Sequence, residues 1–255
     1  MMLRVKNLSF QYGKREILKG INLELEKGQL LSVVGPNGVG KTTLLKCVLH
    51  ILQPTEGDVT VEGKETARIS SRERAKHLAY VPQAYPFKFP MSVFDTVLLG
   101  RIPHINWNPD PNDIRKVLAV LETMGLESVS LHDFDQLSGG QKQKVILARA
   151  LVQETDYLLL DEPTNNLDLK HQLEVMELLR LKARENRIGI MVAIHDLNLA
   201  CQFSDMVVMM KGGEVLCSGE PCKVMTCENI RSIYGVEVRS VTTNGNRYFV
   251  PAKAL

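Results

Sequence analysis

Aromatic residues are scarce: they make up 5% of the 255 positions, with a single tryptophan. A core built from this chain must therefore be mostly aliphatic. Long apolar runs are missing too. The longest, such as Ile190 to Ile194 and Met206 to Met210, fall far short of the ~18–20 residues that span a bilayer. Neither sign of charge dominates, since 31 basic and 29 acidic residues leave a net +2. That balance argues against sustained binding to a nucleic-acid backbone. Residues 1–10 alternate polar and apolar and show no secretion-signal pattern. The five cysteines, Cys47, Cys201, Cys217, Cys222 and Cys227, are odd in number and lack CxxC spacing, and no histidine lies among the last three. They read as reduced thiols in a cytosolic chain, not as a disulfide framework or a zinc site. Internal repeats and low-complexity tracts are also lacking.

What is present is an ordinary globular balance, 44% hydrophobic and 24% charged. The first sixty residues read as short strands, with alternation over Leu3 to Leu8 and Ile21 to Leu25 and a further strand at Val59 to Val61. Leu30 to Val34 is a compact apolar strand that runs into a glycine-rich turn. A helix is predicted from Lys41 to Leu52, stopped by Pro54. Residues from about 84 to 153 differ, with prolines at 86, 90, 103, 109 and 111 followed by helical patterns. There Ile114, Val117, Leu118, Leu121 and Met124 share a face, with Asn112 or Asp113 as cap and Gly125 as stop. This stretch reads as a helical subdomain inserted into an α/β core. Strands at Tyr157 to Leu160, Ile188 to Ile194 and Met206 to Met210 then alternate with helices, one bearing Leu169, Leu173, Met176 and Leu179. Strands separated by helices imply a parallel sheet with right-handed crossovers.

Gly35-Pro36-Asn37-Gly38-Val39-Gly40-Lys41-Thr42 fits GxxxxGK[ST] between a strand and a helix. Glycines let backbone N–H groups converge on a polyphosphate, and the helix start turns its positive end toward the same anion. Lys41 can reach the β- and γ-phosphates, and the Thr42 hydroxyl can ligate Mg²⁺. Farther along, Leu158-Leu159-Leu160 ends in Asp161 and Glu162, at the sheet edge where α/β folds bind ligands. Asp161 is placed to hold Mg²⁺ through water, and Glu162 to polarise an attacking water. Alone, such a pair is commonly a helix cap; beside the phosphate loop it reads as a catalytic carboxylate pair.

Leu137-Ser138-Gly139-Gly140-Gln141 precedes a further helix. By itself it could be no more than a cap, or an anion site. Together with the two preceding motifs, it makes residues 2–220 resemble the nucleotide-binding domain of ATP-binding cassette (ABC) proteins. The resemblance implies a P-loop NTPase fold. It would have a parallel core sheet, an N-terminal antiparallel β subdomain and the inserted helical subdomain, all in one domain over 1–255. About 35 residues, 221–255, would form a C-terminal extension.

Several positions take on roles by this resemblance. Tyr12 matches the aromatic that stacks on adenine, and Thr43 completes the phosphate loop. Gln83 matches the glutamine that contacts Mg²⁺ and links the site to the helical subdomain. Asn165-Asn166-Leu167-Asp168 matches the loop that crosses to a partner subunit, and His195 the switch histidine on the γ-phosphate. Catalysis would then rest on Glu162, His195 and Lys41, and Mg²⁺ on Thr42, Gln83 and Asp161. Ser138, Gly139, Gly140 and Gln141 would cover the ATP of the partner. Lysines replace the usual arginines in Gln141-Lys142-Gln143-Lys144, which keeps charge and loses bidentate pairing. One loop and one signature per chain imply a homodimer closing around two MgATP.

Without membrane helices, a second cassette or a coiled-coil insertion, the chain resembles a separate importer ATPase. The expected partners are a permease dimer at the cytoplasmic face of the membrane and a substrate-binding protein outside, with no nucleic acid. A soluble ABC ATPase acting in iron–sulfur cluster assembly or another non-transport role is the alternative. Gly100-Arg101-Ile102-Pro103-His104 resembles the G-R-x-P-[HW] segment of iron–siderophore, haem and vitamin B12 importers, where the membrane subunit docks. Ile233 to Val238 resembles the ending of the same branch.

Overall fold

The computed structural model describes residues 2–83, 91–165, 167–243 and 246–254. The prolines at 86 and 90, Asn166 and the side chain of Asn246 lie outside the described residues. Four strands form an antiparallel sheet in the order β2-β1-β4-β5: β1 (Met2–Tyr12), β2 (Arg15–Glu26), β4 (Glu56–Val61) and β5 (Lys64–Glu65). Six others form the core sheet in the order β10-β9-β3-β8-β7-β6: β3 (Leu30–Val34), β6 (Leu78–Val81), β7 (Tyr157–Asp161), β8 (Gly189–Ala193), β9 (Met206–Lys211) and β10 (Glu214–Gly219). All its pairings are parallel except that of β10 with β9. A C-terminal hairpin, β11 (Val236–Thr243) with β12 (Asn246–Ala254), makes a third, two-stranded sheet.

The helices are α1 (Lys41–Val48), α2 (Ser71–His77), α3 (Val93–Leu98), α4 (Pro111–Thr123), α5 (Gly139–Leu151), α6 (Leu169–Asn186), α7 (Leu197–Phe203), α8 (Pro221–Val224) and α9 (Cys227–Tyr234). The parallel part of the core sheet is covered on both faces, so β3, β7 and β8 read as nearly continuous apolar runs. Leu31, Val33, Leu159 and Met191 pack toward α1 and the antiparallel sheet. Leu30, Val34, Leu158, Leu160, Ile190 and Val192 pack toward α3–α7 and α9. Three layers result, with the core sheet in the middle.

Local structure departs from the sequence expectations at three places. The first helix stops at Val48, not Leu52, because His50 takes φ 55° and both Ile51 and Leu52 donate their N–H to Lys46 O. Asp110, not Asn112 or Asp113, caps α4: its carboxylate accepts from Asn112 N and Asp113 N, with Pro111 in the first turn. Asp113 instead closes a capping box by accepting from Asp110 N. Only part of each helical stripe is buried. On α4, Val117 and Leu121 are enclosed whereas Ile114 and Leu118 are exposed, and on α6 Leu169 is exposed. Periodicity marks a face, but the covering layer is narrower than that face.

Candidate functional site

The phosphate-loop residues sit where the carboxyl ends of β3, β7 and β8 meet the start of α1. A turn of this shape needs glycine at position 40. Its φ is 108°, and a Cβ there would come within 2.8 Å of Leu18 Cδ2. Lys41 is buried and donates to Gly35 O (2.7 Å) and Pro36 O (3.1 Å), so the ammonium is wrapped by its own loop. Alternation along β7 sends Tyr157 and Leu159 to the α1 side, and Asp161 follows in the same phase. The Thr42 hydroxyl accordingly donates to Asp161 Oδ1 at 3.0 Å, and Tyr80 OH approaches Oδ2 at 3.4 Å.

Glu162 leaves the strand in the left-handed region, φ 50°, with its N–H held by Ala193 O at 2.9 Å. A non-glycine residue stays in that conformation only when its surroundings fix it. Here they do. Oε2 accepts from Gln83 Nε2 (2.5 Å) and Asn165 Nδ2 (2.6 Å), while His195 Nε2 meets Oε1. The structure thus brings Glu162, His195, Gln83 and Asn165 into one cluster beside Lys41, Thr42 and Asp161. The Gln83 amide nitrogen donates to Glu162, which leaves its oxygen for another partner.

Electrostatics at the site suit ligands of both signs. Burial holds the Lys41 ammonium below its ordinary range, against the raising influence of Glu162 and Asp161. Burial also pushes the Asp161 carboxyl up, helped by the charge of Glu162 and opposed by the Thr42 hydroxyl. Each group is short of solvation. A polyanion would serve the first, a divalent cation the second. Hard oxygens at Thr42 and Asp161 suit Mg²⁺, which binds through one or two carboxylates together with phosphates and water.

Two hollows share Glu162. One, of about 330 Å³, is lined by Tyr12, Gly38, Lys41, Thr42 and Thr43, and also by Arg15. The other, of about 300 Å³, is lined by Thr164, Asn165, Gln172, His195 and Asp196. Tyr12 is half exposed and stands edge-on to Phe10, with ring centres 4.8 Å apart. A larger cavity, about 950 Å³, lies at the amino ends of the strands near Lys27, Asp156 and Ile188. It is away from the carboxyl ends where α/β sheets bind ligands.

Ser138, Gly139, Gly140, Gln141 and Asp168 line neither hollow. Ser138 is exposed and caps α5, accepting from Gln141 N at 3.3 Å while Gln141 Oε1 accepts from Ser138 N at 3.0 Å. Asp168 caps α6, accepting from His171 N and meeting His171 Nδ1 at 2.7 Å. The His171 ring lies 3.1 Å from where a Cβ on Gly140 would stand, so the signature and the 165–168 loop touch through one side chain.

Sequence reasoning left Arg15 and His171 unassigned, and it placed Asn165 only in the loop toward a partner subunit, not on Glu162. Arg15 pairs with Tyr12 across the Gly13 turn, a register legible once the hairpin is recognised. Asn165 closes a turn on Glu162, its N–H donating to Glu162 O at 3.1 Å. His171 lies three residues after a helix cap. Arg101 turns inward to Asp113, Val152 O and Glu154, and His104 Nε2 meets Gln153 O at 2.9 Å. Among these polar side chains none is offered outward; Ile102 is the exposed member.

A family model described as ABC transporter matches residues 18–165. An ABC transporter ATP-binding protein of Methanocaldococcus jannaschii, itself uncharacterized, is 44% identical over 251 residues, 98% of each chain. A petrobactin import ATP-binding protein of Bacillus subtilis is 34% identical, covering 96% of this chain and 98% of its own. A hemin import ATP-binding protein of Thermobifida fusca is 36% identical, covering 95% and 85%. In three dimensions, an inward-facing ABC transporter described as of metal-chelate type aligns at TM-score 0.87 and 30% identity, covering 98% and 97%.

Proposed function

Given that the chain belongs to the ABC transporter family, and so is an ATPase coupled to transport, we propose that it powers uptake of a metal chelate. The cargo class is an iron–siderophore, haem or cobalamin. The chain would work as a homodimer on the cytoplasmic face of the membrane, bound to a permease dimer that receives cargo from an outer binding protein. Relatives named for petrobactin and hemin import support this reading over iron–sulfur cluster assembly. Among the described residues no helix is long and apolar enough to cross a membrane; in this reading a separate permease supplies the path.

The observation that carries the reading is the Glu162 cluster. A carboxylate held by His195, Gln83 and Asn165 at the lip of the phosphate-loop hollow is oriented to accept a proton from a water attacking the γ-phosphate. Lys41 and the loop amides of 35–43 bind the phosphates. Tyr12 packs on the base, and His195 is set to sense the γ-group. Thr42 and Asp161, with Gln83 within the same site, would hold Mg²⁺. When bound, Mg²⁺ neutralises phosphate charge.

Charge also explains the dimer. The loop covers one side of the triphosphate, and Ser138 with its glycine amides lies outside the hollows of its own chain. It is therefore available to the γ-phosphate of a second copy across a two-fold axis. Specific ATPase activity should rise with protein concentration and fall on Ser138→Arg. Activity that stays flat on dilution and ignores Ser138 overturns the dimer. Co-purification with a many-helix membrane protein is the expected companion result, and recovery with soluble partners alone overturns the importer.

Tyr12→Ala should weaken ATP binding about 2- to 12-fold, the equivalent of ~0.5–1.5 kcal/mol for an aromatic stacking contact. Turnover at saturating ATP should be unchanged. Displacement of a fluorescent nucleotide measures the first and steady-state hydrolysis the second.

A further inference from the structure

We infer that Asn198 is a positioning residue for His195 and that the C-terminal hairpin is its anchor, an inference that rests on the ATPase site proposed above. His195 sits between two fixed points. On one side, Ile194 N donates to Val33 O at 3.1 Å, extending the core sheet to the residue before it. On the other, Asp196 caps α7, accepting from Asn198 N (2.7 Å) and Leu199 N (3.0 Å).

A cap alone is a weak hold, because α7 has only seven residues and so short a helix is marginal without tertiary support. Asn198, in its first turn, supplies that support. Its Oδ1 accepts from Phe249 N at 2.7 Å and its Nδ2 donates to Phe249 O at 3.3 Å, bridging 51 positions of sequence. The amide orientation follows from its partners, since a backbone N–H demands the oxygen and a carbonyl the nitrogen.

The pairing imitates one rung of a β-ladder. Phe249 stands opposite Ser240 in the hairpin, and its N–H and C=O both point away from that partner, to the outer edge of β12. Asn198 covers that edge at this one residue. The Phe249 side chain, 4% exposed, joins the same apolar cluster as Leu199, Ala200 and Phe203 of α7. The hairpin therefore grips α7 by a polar rung and an apolar plug, three residues beyond the histidine that meets Glu162. A small rotation of α7 would move His195 off Glu162, and displacements of about 1 Å at such a site cost up to ~100-fold in rate.

The test is steady-state ATP hydrolysis by full-length variants, with thermal midpoints measured in parallel. Asn198→Ala should lower kcat about tenfold or more, on the same geometric argument, with KM for ATP within about twofold. Asn198→Asp, which keeps the shorter bond from Phe249 N, should fall between wild type and Asn198→Ala. Val117→Ala, a cavity in α4 far from α7, should lower the thermal midpoint by at least as much while keeping kcat. The inference is overturned if Asn198→Ala retains wild-type kcat, or if both variants lose activity only in proportion to stability. Glu162→Gln separates this from the parent reading: full turnover in that variant sinks the proposed site itself. A dead Glu162→Gln beside an unimpaired Asn198→Ala sinks the anchor alone.

Discussion

Glu162→Gln should bind ATP as wild type does and hydrolyse it at least ~100-fold more slowly, the scale of a lost general base. The substitution keeps the shape and removes the charge. His195 Nε2 can still donate to Oε1, but the position of Oε2 accepts from both Gln83 Nε2 and Asn165 Nδ2. An amide NH₂ placed there would face two donors and must turn, which loosens the cluster as well as removing the proton acceptor. Binding should be spared because, in the proposed site, Lys41, Thr42 and the loop amides would hold the phosphates without Glu162. Slow hydrolysis with intact binding should trap the ATP-bound dimer. Gel filtration at millimolar MgATP should therefore show the variant as a dimer and ADP should return it to monomer. A monomer under both conditions would count against closure around the γ-phosphate.

How much of this was legible in the sequence varies with the range of the interaction. Local devices read well. The strand–loop–helix around Lys41 is written in contiguous residues, and so is Asp161 at the end of an apolar strand, because period-2 alternation fixes which face the carboxylate takes. The hub at Glu162 was legible through the family resemblance, which assigned Glu162, His195 and Gln83 to one nucleotide site, but not through local pattern. Gln83 lies 79 residues away and His195 33 residues away, and no pattern in one chain announces that three elements converge on one carboxylate. Helix ends were misread where competing local bonds win. His50 adopts positive φ and Lys46 O accepts two later N–H groups, closing α1 a turn early. Asp110 was passed over as a cap because Asn112 and Asp113 carry the same chemistry two and three residues on. Asn198 was invisible for a further reason: nothing local to its sequence distinguishes it, and its partner, Phe249, lies 51 residues on in an extension that periodicity could not place.

Arg101→Ala should destabilise the fold by about 3–5 kcal/mol, the cost of leaving a buried charge unpaired. The guanidinium and the Asp113 carboxylate are 4% and 8% exposed and meet at 2.8 Å. The same group holds Val152 O and Glu154, at 2.9 Å each, tying the 99–101 turn to α4 and to the end of α5. Burial by itself would raise the Asp113 carboxyl, but Arg101, the Asp110 N–H and Lys116 outweigh it and hold it below the ordinary carboxylate value. Its contribution to wild-type stability is therefore complete above the unfolded pKa of about 4 and is lost as pH falls through the lower folded value. Removing Arg101 takes away the largest of those opposing influences. The carboxyl therefore rises relative to wild type, and the variant loses less stability than wild type as pH falls through the carboxylate range. Urea midpoints at neutral pH and below about pH 4 read the difference between the proteins, in which the titration of unchanged groups cancels. Arg101→Met combined with Asp113→Leu should recover most of the loss, because an apolar pair of similar volume leaves no charge to compensate. Equal pH slopes in wild type and Arg101→Ala would show that Asp113 finds another partner or water, and that the segment is held by its apolar contacts.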